Sequence, residues 1–269
     1  MPYLDLDTAR IYYERTGAGD PPLVLVHGYT CAHNDWRHQT EHFAAQRAVV
    51  TCDLRGHGAS SGDPQDCTIE TYGRDVAAVL NALDLAPAVL VGHSMGCRVV
   101  LEAYRQAPAR VGGLVLMDGS WLGADPQAAG VVRSHIASVG GEAFARALFS
   151  EALLPATEEG DRIMQRAVRF PPDVTSHLFP AMVEWEAREL SDVLASVRVP
   201  LLAIQSTHLN SERRRVRLEP GQSSPWLDLV RRCVPGARIE IVPGAGHFTM
   251  IDAPEACNRL LSEFIADVG

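Results

Sequence analysis

Six short apolar runs, separated by stretches with helical spacing, constrain the fold of this chain most. They span residues 22–28, 48–53, 87–94, 112–119, 200–205 and 237–242. The first, PLVLVHG, is apolar at almost every position, as expected of a strand that is buried on both faces of a sheet. Strands of this kind that alternate with helices are typical of a parallel sheet with helices on each face. We therefore predict an α/β fold built on a mostly parallel sheet.

The alternation of strands and helices is interrupted between residues 120 and 196. This segment has helical spacing broken by glycine and proline, and no strand is predicted in it. A helical insert between two strands of a parallel sheet is best placed as a cap over the carboxyl ends of the strands. Alternating residues 3–17 predict an antiparallel hairpin at the edge. The prediction is an eight-stranded sheet in a core domain of residues 1–119 and 197–269, with a helical cap (lid) of residues 120–196 after the sixth strand.

Net charge and cysteine spacing limit the partners of the protein. The 269 residues carry a formal net charge of −9, and the one basic cluster, Arg213 to Arg217, is interpreted as a solvated loop. Nucleic acids and anionic membrane surfaces bind clustered cations, so we expect neither as a partner. The sequence contains no signal peptide pattern and no apolar stretch of about 18 residues. The six cysteines lack the spacing of a metal site or a disulfide framework, which predicts reduced thiols and a cytoplasmic protein.

The pentapeptide GHSMG, residues 92–96, carries the clearest chemical signal. It ends an apolar run and precedes a segment with helical spacing, so it lies at a junction from strand to turn to helix. Such a turn holds its central serine in a strained backbone conformation, and the two glycines let the neighbouring backbone approach. The pattern predicts Ser94 as a nucleophile.

Three further motifs accompany the pentapeptide. They are VHGYT (26–30), DLRGHGAS (53–60) and PGAGHF (243–248). In order and spacing, the four motifs resemble those of the α/β-hydrolase fold family, and the resemblance covers nearly the whole chain. It implies a sheet of α/β-hydrolase type. The first motif differs from the HGGG variant of the family's oxyanion loop, which argues against bulky tertiary-alcohol esters as substrates.

The resemblance implies chemical roles for four residues. Serine at its free pKa is a weak nucleophile, and His247, in the glycine-rich loop after the last strand, is the base that the family provides for Ser94. The backbone N–H groups of Tyr29 and Met95 correspond to the family's donors for the developing oxyanion. Metal-ligand spacings and nucleotide motifs are absent from the sequence, so we expect no metal and no organic cofactor.

The acid of the triad is missing from its usual place. In most of the family it follows the strand that here spans residues 200–205. Alignment by eye puts Thr207, His208 or Leu209 at that place, and none of them is an acid. Glu212 comes several residues later and is followed by three arginines, so we interpret it as a surface charge.

Asp118 offers an alternative acid at the end of the preceding strand. A minority of the family carries its acid there, from where it can still reach the histidine. A carboxylate roughly 2.6–3.2 Å from Nδ1 of His247 would fix the tautomer and stabilise the imidazolium. The competing interpretation is a strand-end aspartate that caps a turn. Because Asp228 lies in a predicted helix and one acid is required, we predict Asp118 as the acid.

The serine nucleophile implies an acyl hydrolase within the resemblance. We predict that it attacks the carbonyl of an ester, a lactone or a related acyl bond in a small, largely apolar substrate. The side chains expected to contact this substrate are His93, Trp36, Trp121, Phe149 and Trp185.

Three alternatives on the same fold stay open. Hydrolases of C–C bonds in ring-fission products also use a serine nucleophile. Cofactor-free quinolone dioxygenases keep their acid after the strand that ends here in Asp118, and their histidine–aspartate pair deprotonates the substrate. The loop 28–36 resembles theirs loosely in length and composition but lacks one of their histidines. A non-catalytic ligand receptor can retain an intact triad.

Overall fold

The structure is a computed structural model that describes residues 3–85, 87–125, 127–152 and 154–268. Ten strands are found within these ranges. They are β1 (Tyr3–Leu6), β2 (Ala9–Thr16), β3 (Leu23–Val26), β4 (Val49–Cys52), β5 (Ala88–His93), β6 (Val111–Met117), β7 (Leu201–Gln205), β8 (Thr207–Leu209), β9 (Arg215–Arg217) and β10 (Arg238–Ile241).

Eight of the strands form one sheet, in the order β1-β2-β4-β3-β5-β6-β7-β10. The strand β2 runs antiparallel to both of its neighbours, and all other adjacent pairs are parallel. Every residue of β3, β4, β5 and β7 is buried, as strands covered on both faces must be. The predicted eight-stranded, mostly parallel sheet is therefore confirmed.

Ten α-helices surround the sheet in the described part of the chain. They are α1 (Arg37–Phe43), α2 (Ile69–Ala82), α3 (Met95–Gln106), α4 (Ala128–Val139), α5 (Gly141–Ser150), α6 (Glu158–Val168), α7 (Pro172–Ala195), α8 (Pro225–Cys233), α9 (Thr249–Asp252) and α10 (Pro254–Val268). The start of α2 is fixed by a local contact, because the hydroxyl of Thr68 accepts a hydrogen bond from the N–H of Thr71 and caps the helix. The helix α2 packs against α3, and α1 packs against α10.

Four helices, α4 to α7, lie between β6 and β7, where the sequence has no apolar runs. The longest, α7, begins at Pro172, a position where the missing N–H of proline costs nothing. The division into a core domain and a cap of residues 120–196 stays a prediction. Residues 1, 2, 86 and 269 of the predicted core and residues 126 and 153 of the predicted cap lie outside the described residues.

The hairpin of β8 and β9 is the main element that the sequence analysis missed. The two strands pair antiparallel with each other and are separate from the large sheet. Each has three residues and contains arginine, histidine or threonine, so neither shows the apolar alternation by which strands are predicted. The hairpin follows β7 directly, at the carboxyl edge of the sheet.

The six cysteines are free thiols, and five of them are buried. Burial raises the pKa of Cys52 to about 12, so this side chain is a neutral thiol that packs as a small apolar group. Among the helices that the structure describes, none combines the length and the apolar character needed to cross a membrane.

Candidate active site

Ser94 stands on the turn between β5 and α3. Its backbone has φ 56° and ψ −114°, a conformation that residues other than glycine adopt only under strain. A Cβ atom on Gly92 would lie 2.2 Å from the carbonyl oxygen of Gly96, and one on Gly96 would lie 2.5 Å from that of Val26. Larger residues at these two positions would therefore push the turn open and displace Ser94.

His247 lies in the loop between β10 and α9, and its Nε2 is 2.9 Å from Oγ of Ser94. The backbone N–H of His247 donates to the carbonyl oxygen of Ala152 at 3.0 Å, which holds the loop in place. Burial lowers the pKa of the imidazole well below its ordinary value, and the charges of Arg215 and Arg98 lower it further. The ring is therefore neutral at neutral pH, with one nitrogen able to accept a proton.

Asp118 follows β6 directly and is completely buried. Its Oδ1 is 3.5 Å from Nδ1 of His247, so the contact is longer than the predicted range. Nδ1 is itself buried and forms no hydrogen bond with any described residue. Catalytic hydrogen bonds are often long before the substrate binds, and the carboxylate is the group that faces this nitrogen.

Four hydrogen bonds hold the carboxylate of Asp118. Its Oδ1 accepts from the hydroxyl of Thr207 at 2.7 Å, from the N–H of Thr207 at 3.3 Å and from the amide of Gln205 at 3.2 Å. Its Oδ2 accepts from the hydroxyl of Thr249 at 2.8 Å. Burial raises the pKa of this carboxyl, whereas the charge of Arg215 and the hydroxyl donors lower it. Thr207, the first residue of β8, thus holds an acid that comes from the neighbouring strand.

The other two acids considered lie away from the imidazole. Glu212 is exposed and pairs with Arg214, and Asp228 is exposed and lies 3.2 Å from Nη1 of Arg231. Of the three carboxylates, Asp118 is the one that the fold brings beside His247.

Sequence reasoning missed three residues around Asp118. Gln205, Thr249 and Arg215 belong to no motif. They could have been sought only by reasoning that Asp118, if it is the acid, must be held by polar groups near the end of β7. For Arg215 the structure corrects the interpretation of a solvated loop, because its side chain is only 8% exposed. The hairpin turns this arginine inward.

Tyr29 and Met95, the predicted oxyanion donors, border the same cavity as Ser94. Met95 is the first residue of α3, and the N–H groups in the first turn of a helix have no acceptor within that helix. The loop before Tyr29 packs closely on the serine, since a Cβ atom on Gly28 would lie 3.1 Å from Cβ of Ser94. The hydroxyl of Tyr29 donates to Thr175 at 2.9 Å, which ties the loop to α7.

A cavity of about 430 Å³ opens at Ser94 and His247. Its walls are mainly apolar, a character typical of small-molecule sites, and α4, α5 and α7 contribute part of them. Two of the predicted contacts, His93 and Phe149, lie in the wall. Burial lowers the pKa of His93 to about 3, and its Nε2 contacts the carbonyl oxygen of His247 at 2.8 Å. In the described part of the chain, no group of three or more histidine, cysteine or acidic side chains could hold a metal ion.

Three of the predicted substrate contacts lie away from this cavity. Trp36, Trp121 and Trp185 are not among the side chains that border this cavity. Trp36 is completely buried and packs in a T-shaped arrangement with the His93 ring. Trp185, a residue of α7, is also buried. Trp121 packs on the hydrophobic core. Burial of a large aromatic side chain is favourable, which accounts for the positions of Trp36 and Trp185 in the core.

A buried ion pair joins α3 to α7. Nε of Arg98 donates to the carboxylate of Glu186 at 2.7 Å, and Nη2 donates to the carbonyl oxygen of Ser120 at 2.6 Å. The same carboxylate accepts the N–H of Leu122. Both charged side chains are almost completely buried. No sequence motif marks this pair, because its members are 88 residues apart.

Replacement of Glu186 by glutamine should destabilise the protein by about 3–5 kcal/mol, because it leaves the charge of Arg98 buried and unpaired. The free energy of unfolding is measured by urea denaturation. The matched control is Glu184→Gln on the same helix, since Glu184 pairs with Arg188 on the exposed face and should contribute about 1 kcal/mol or less. Equal losses in the two variants would contradict this account of the pair.

Comparison with known proteins yields a family match. A sequence model of the alpha/beta hydrolase family matches residues 23–260. "Putative carbamate hydrolase RutD" of Azorhizobium caulinodans is 30% identical, with 100% of this chain and 99% of that protein aligned. The dihydrolipoyllysine-residue acetyltransferase component of the acetoin cleaving system of Pseudomonas putida is 30% identical over 94% of this chain, which spans 66% of that protein. A thermophilic esterase from Thermogutta terrifontis has a TM-score of 0.81 at 24% identity, covering 99% of this chain and 98% of its own, and this likeness concerns the fold.

Proposed function

This chain belongs to the alpha/beta hydrolase family, and on that premise we propose that it is a serine hydrolase for an ester, a lactone or a related acyl bond of a small, largely apolar substrate. The observation that carries the proposal is the 2.9 Å contact between Oγ of Ser94 and Nε2 of His247 beside an apolar cavity. A serine hydroxyl becomes an effective nucleophile when a base is positioned in this way to take its proton.

The proposed reaction has two halves. Oγ of Ser94 attacks the substrate carbonyl while Nε2 of His247 takes its proton, and the N–H groups of Tyr29 and Met95 stabilise the oxyanion. The imidazolium returns the proton to the alcohol oxygen as the C–O bond breaks, which leaves an acyl-enzyme. The alcohol departs from an ester and stays attached to the acyl group of a lactone. Water then attacks the acyl-enzyme with the histidine again as base, and the acid product is released. Asp118 stabilises the imidazolium in both halves.

The helices between β6 and β7 serve as the cap in this proposal. They supply Phe149 from α5 and Phe179 from α7 to the cavity wall, so they set the shape of the acyl or alcohol site. The free thiols support a cytoplasmic location for the reaction, because oxidising compartments favour disulfides.

A substrate panel tests the proposed function. Short-chain, long-chain and aromatic esters, lactones, an amide and a carbamate are incubated with the protein while acid release is followed. Oxygen uptake with hydroxyquinolones is measured in parallel. We expect turnover of at least one ester or lactone class and no oxygen consumption. Oxygen uptake without ester or lactone turnover would identify the dioxygenase alternative instead.

A further inference from the structure

The hairpin of β8 and β9 brings an arginine beside the candidate catalytic acid. Leu209 and Arg215 are paired across the hairpin, and both border the cavity that contains Ser94. Nη1 of Arg215 donates to the hydroxyl of Thr207 at 2.9 Å and lies 3.9 Å from Oδ1 of Asp118. An arginine side chain is charged at all relevant pH values, so a permanent positive charge is buried at this cavity.

The buried charge of Arg215 is only partly matched. The nearest carboxylate, Asp118, is beyond hydrogen-bond distance, and its oxygens already accept four hydrogen bonds. A guanidinium has five N–H donors, and a buried charge without partners is costly. Within the described ranges, the bond to Thr207 is the single hydrogen bond of this side chain. Its remaining donors are therefore available to a molecule in the cavity.

Arg213 adds a second cation to the same wall. It lies in the turn of the hairpin with φ 59°, and Oδ1 of Asn210 fixes this turn by accepting the N–H groups of Glu212 and Arg214, each at 3.0 Å. Arg214 pairs with Glu212 and does not border the cavity. Arg213 has no ion pair with any residue that the structure describes. The turn thus presents one arginine to the cavity and keeps the next one outside.

The other charges at the cavity offset this pair of arginines only in part, through Asp118 and Glu151. Arg98 also borders the cavity, but its charge is matched by Glu186. Of the described residues, Glu151 is the one carboxylate in the wall, and it is exposed to solvent. An anion in the cavity would therefore meet Arg213, which has no ion pair with a described residue, and Arg215, whose nearest carboxylate, Asp118, is 3.9 Å away and beyond hydrogen-bond distance.

We propose that Arg215, assisted by Arg213, binds a carboxylate of the substrate, so that the substrates are esters or lactones with a carboxylate on an otherwise apolar body. The inference rests on the proposed function, because it places the carboxylate in the same cavity as Ser94. A guanidinium binds a carboxylate through two parallel N–H···O bonds, which gives orientation as well as affinity. The hairpin of β8 and β9 would thereby determine which esters the cavity accepts.

Two matched pairs of esters test the inference. The first is monomethyl adipate with dimethyl adipate, and the second is 5-acetoxypentanoate with its methyl ester. The carboxylate lies on the acyl side of the ester in the first pair and on the alcohol side in the second. For at least one pair we expect kcat/KM of the wild type to favour the anionic ester by about 10–100-fold, as for one hydrogen bond to a charged group.

Three variants locate the preference. Arg215→Gln should reduce it to about threefold or less, and Arg213→Gln should reduce it in part. Because Arg215 contacts the groups that hold Asp118, its replacement will lower the rates with both esters of a pair. The preference is therefore measured as the ratio of kcat/KM for the anionic ester to kcat/KM for the neutral ester. The matched control is Arg214→Gln in the same turn, which should retain the full preference. A preference that survives in both Arg215→Gln and Arg213→Gln overturns the inference.

Binding to Ser94→Ala separates this inference from the proposed function. Calorimetry of both ester pairs with this variant should give a Kd about 10-fold or more lower for the anion of at least one pair. Arg213 is exposed. Adding Arg213→Gln to the Ser94→Ala variant should weaken the binding of the anionic ester. Equal Kd values within both pairs overturn the carboxylate site even if esters are hydrolysed. A carboxylate preference in binding, with no turnover of any ester by the wild type, contradicts the hydrolase and leaves the site supported.

Discussion

Replacement of Ser94 by alanine is expected to lower kcat for the best substrate of the panel by roughly 10³–10⁶-fold, the range seen when a triad member is removed. The loss is large because no other group at this position can form the acyl-enzyme. Oγ of Ser94 is the atom 2.9 Å from the imidazole of His247, and the strained turn holds it there. The variant should also lose labelling by a fluorophosphonate, which reacts with activated serine hydroxyls.

The matched control for this experiment is Ser120→Ala. Ser120 borders the same cavity, and its hydroxyl is not hydrogen-bonded to His247. It should keep both labelling and most of the activity. Labelling that persists in Ser94→Ala would contradict the assignment of the nucleophile. A dioxygenase on this fold would instead be weakened only modestly by Ser94→Ala, since there the serine contributes to binding.

Asp118→Asn is expected to lower kcat by up to about 10⁴-fold. The amide retains the shape of the side chain and its hydrogen-bonding partners, because the hydroxyl of Thr249 can reverse its role and accept. The negative charge that faces Nδ1 of His247 at 3.5 Å is lost, so the imidazolium that forms during the reaction is no longer stabilised. Steady-state kinetics with the same ester, together with the thermal unfolding temperature, distinguish this effect from unfolding.

Glu212→Gln and Asp228→Asn are the controls for the acid. Both side chains are exposed and paired with arginines on the surface, so each variant should retain kcat within about threefold. A large loss in either variant, with normal activity in Asp118→Asn, would return the acid to the segment after β7. This set of variants identifies the acid, whereas Ser94→Ala decides between hydrolysis and oxygen chemistry.

The position of the acid depends on strand order. Met117, before Asp118, pairs with Ile204 of β7, and the N–H of Asp118 donates to the carbonyl oxygen of Ile204 at 2.8 Å. Adjacent strands are about 4.8 Å apart, so a carboxylate moved by one strand still lies beside the same histidine loop. Thr207, in the segment that directly follows β7, donates two of the four hydrogen bonds to Asp118.

The sheet, the turn at Ser94 and the candidate groups of the triad could be predicted from the sequence alone. Continuous apolar runs predict strands covered on both faces, because burial of such runs dominates the free energy of folding. The spacing of Gly92 and Gly96 predicts the turn at Ser94, since only glycine fits the close backbone contacts there. Asp118 could be proposed because the carboxyl ends of neighbouring parallel strands meet at one edge of the sheet. These are local patterns or consequences of strand order.

The side chains that form the cavity could be identified only from the packing of the folded chain. The hairpin of β8 and β9 has strands too short and too polar to show periodicity, so nothing in the sequence predicts that Arg215 is buried beside Asp118. The partner of Arg98 lies 88 residues away. Trp36 and Trp185 were expected at the substrate and are instead buried in the core. Whether an aromatic or charged side chain faces a cavity or the interior depends on contacts between distant segments, and these contacts form only when the chain packs.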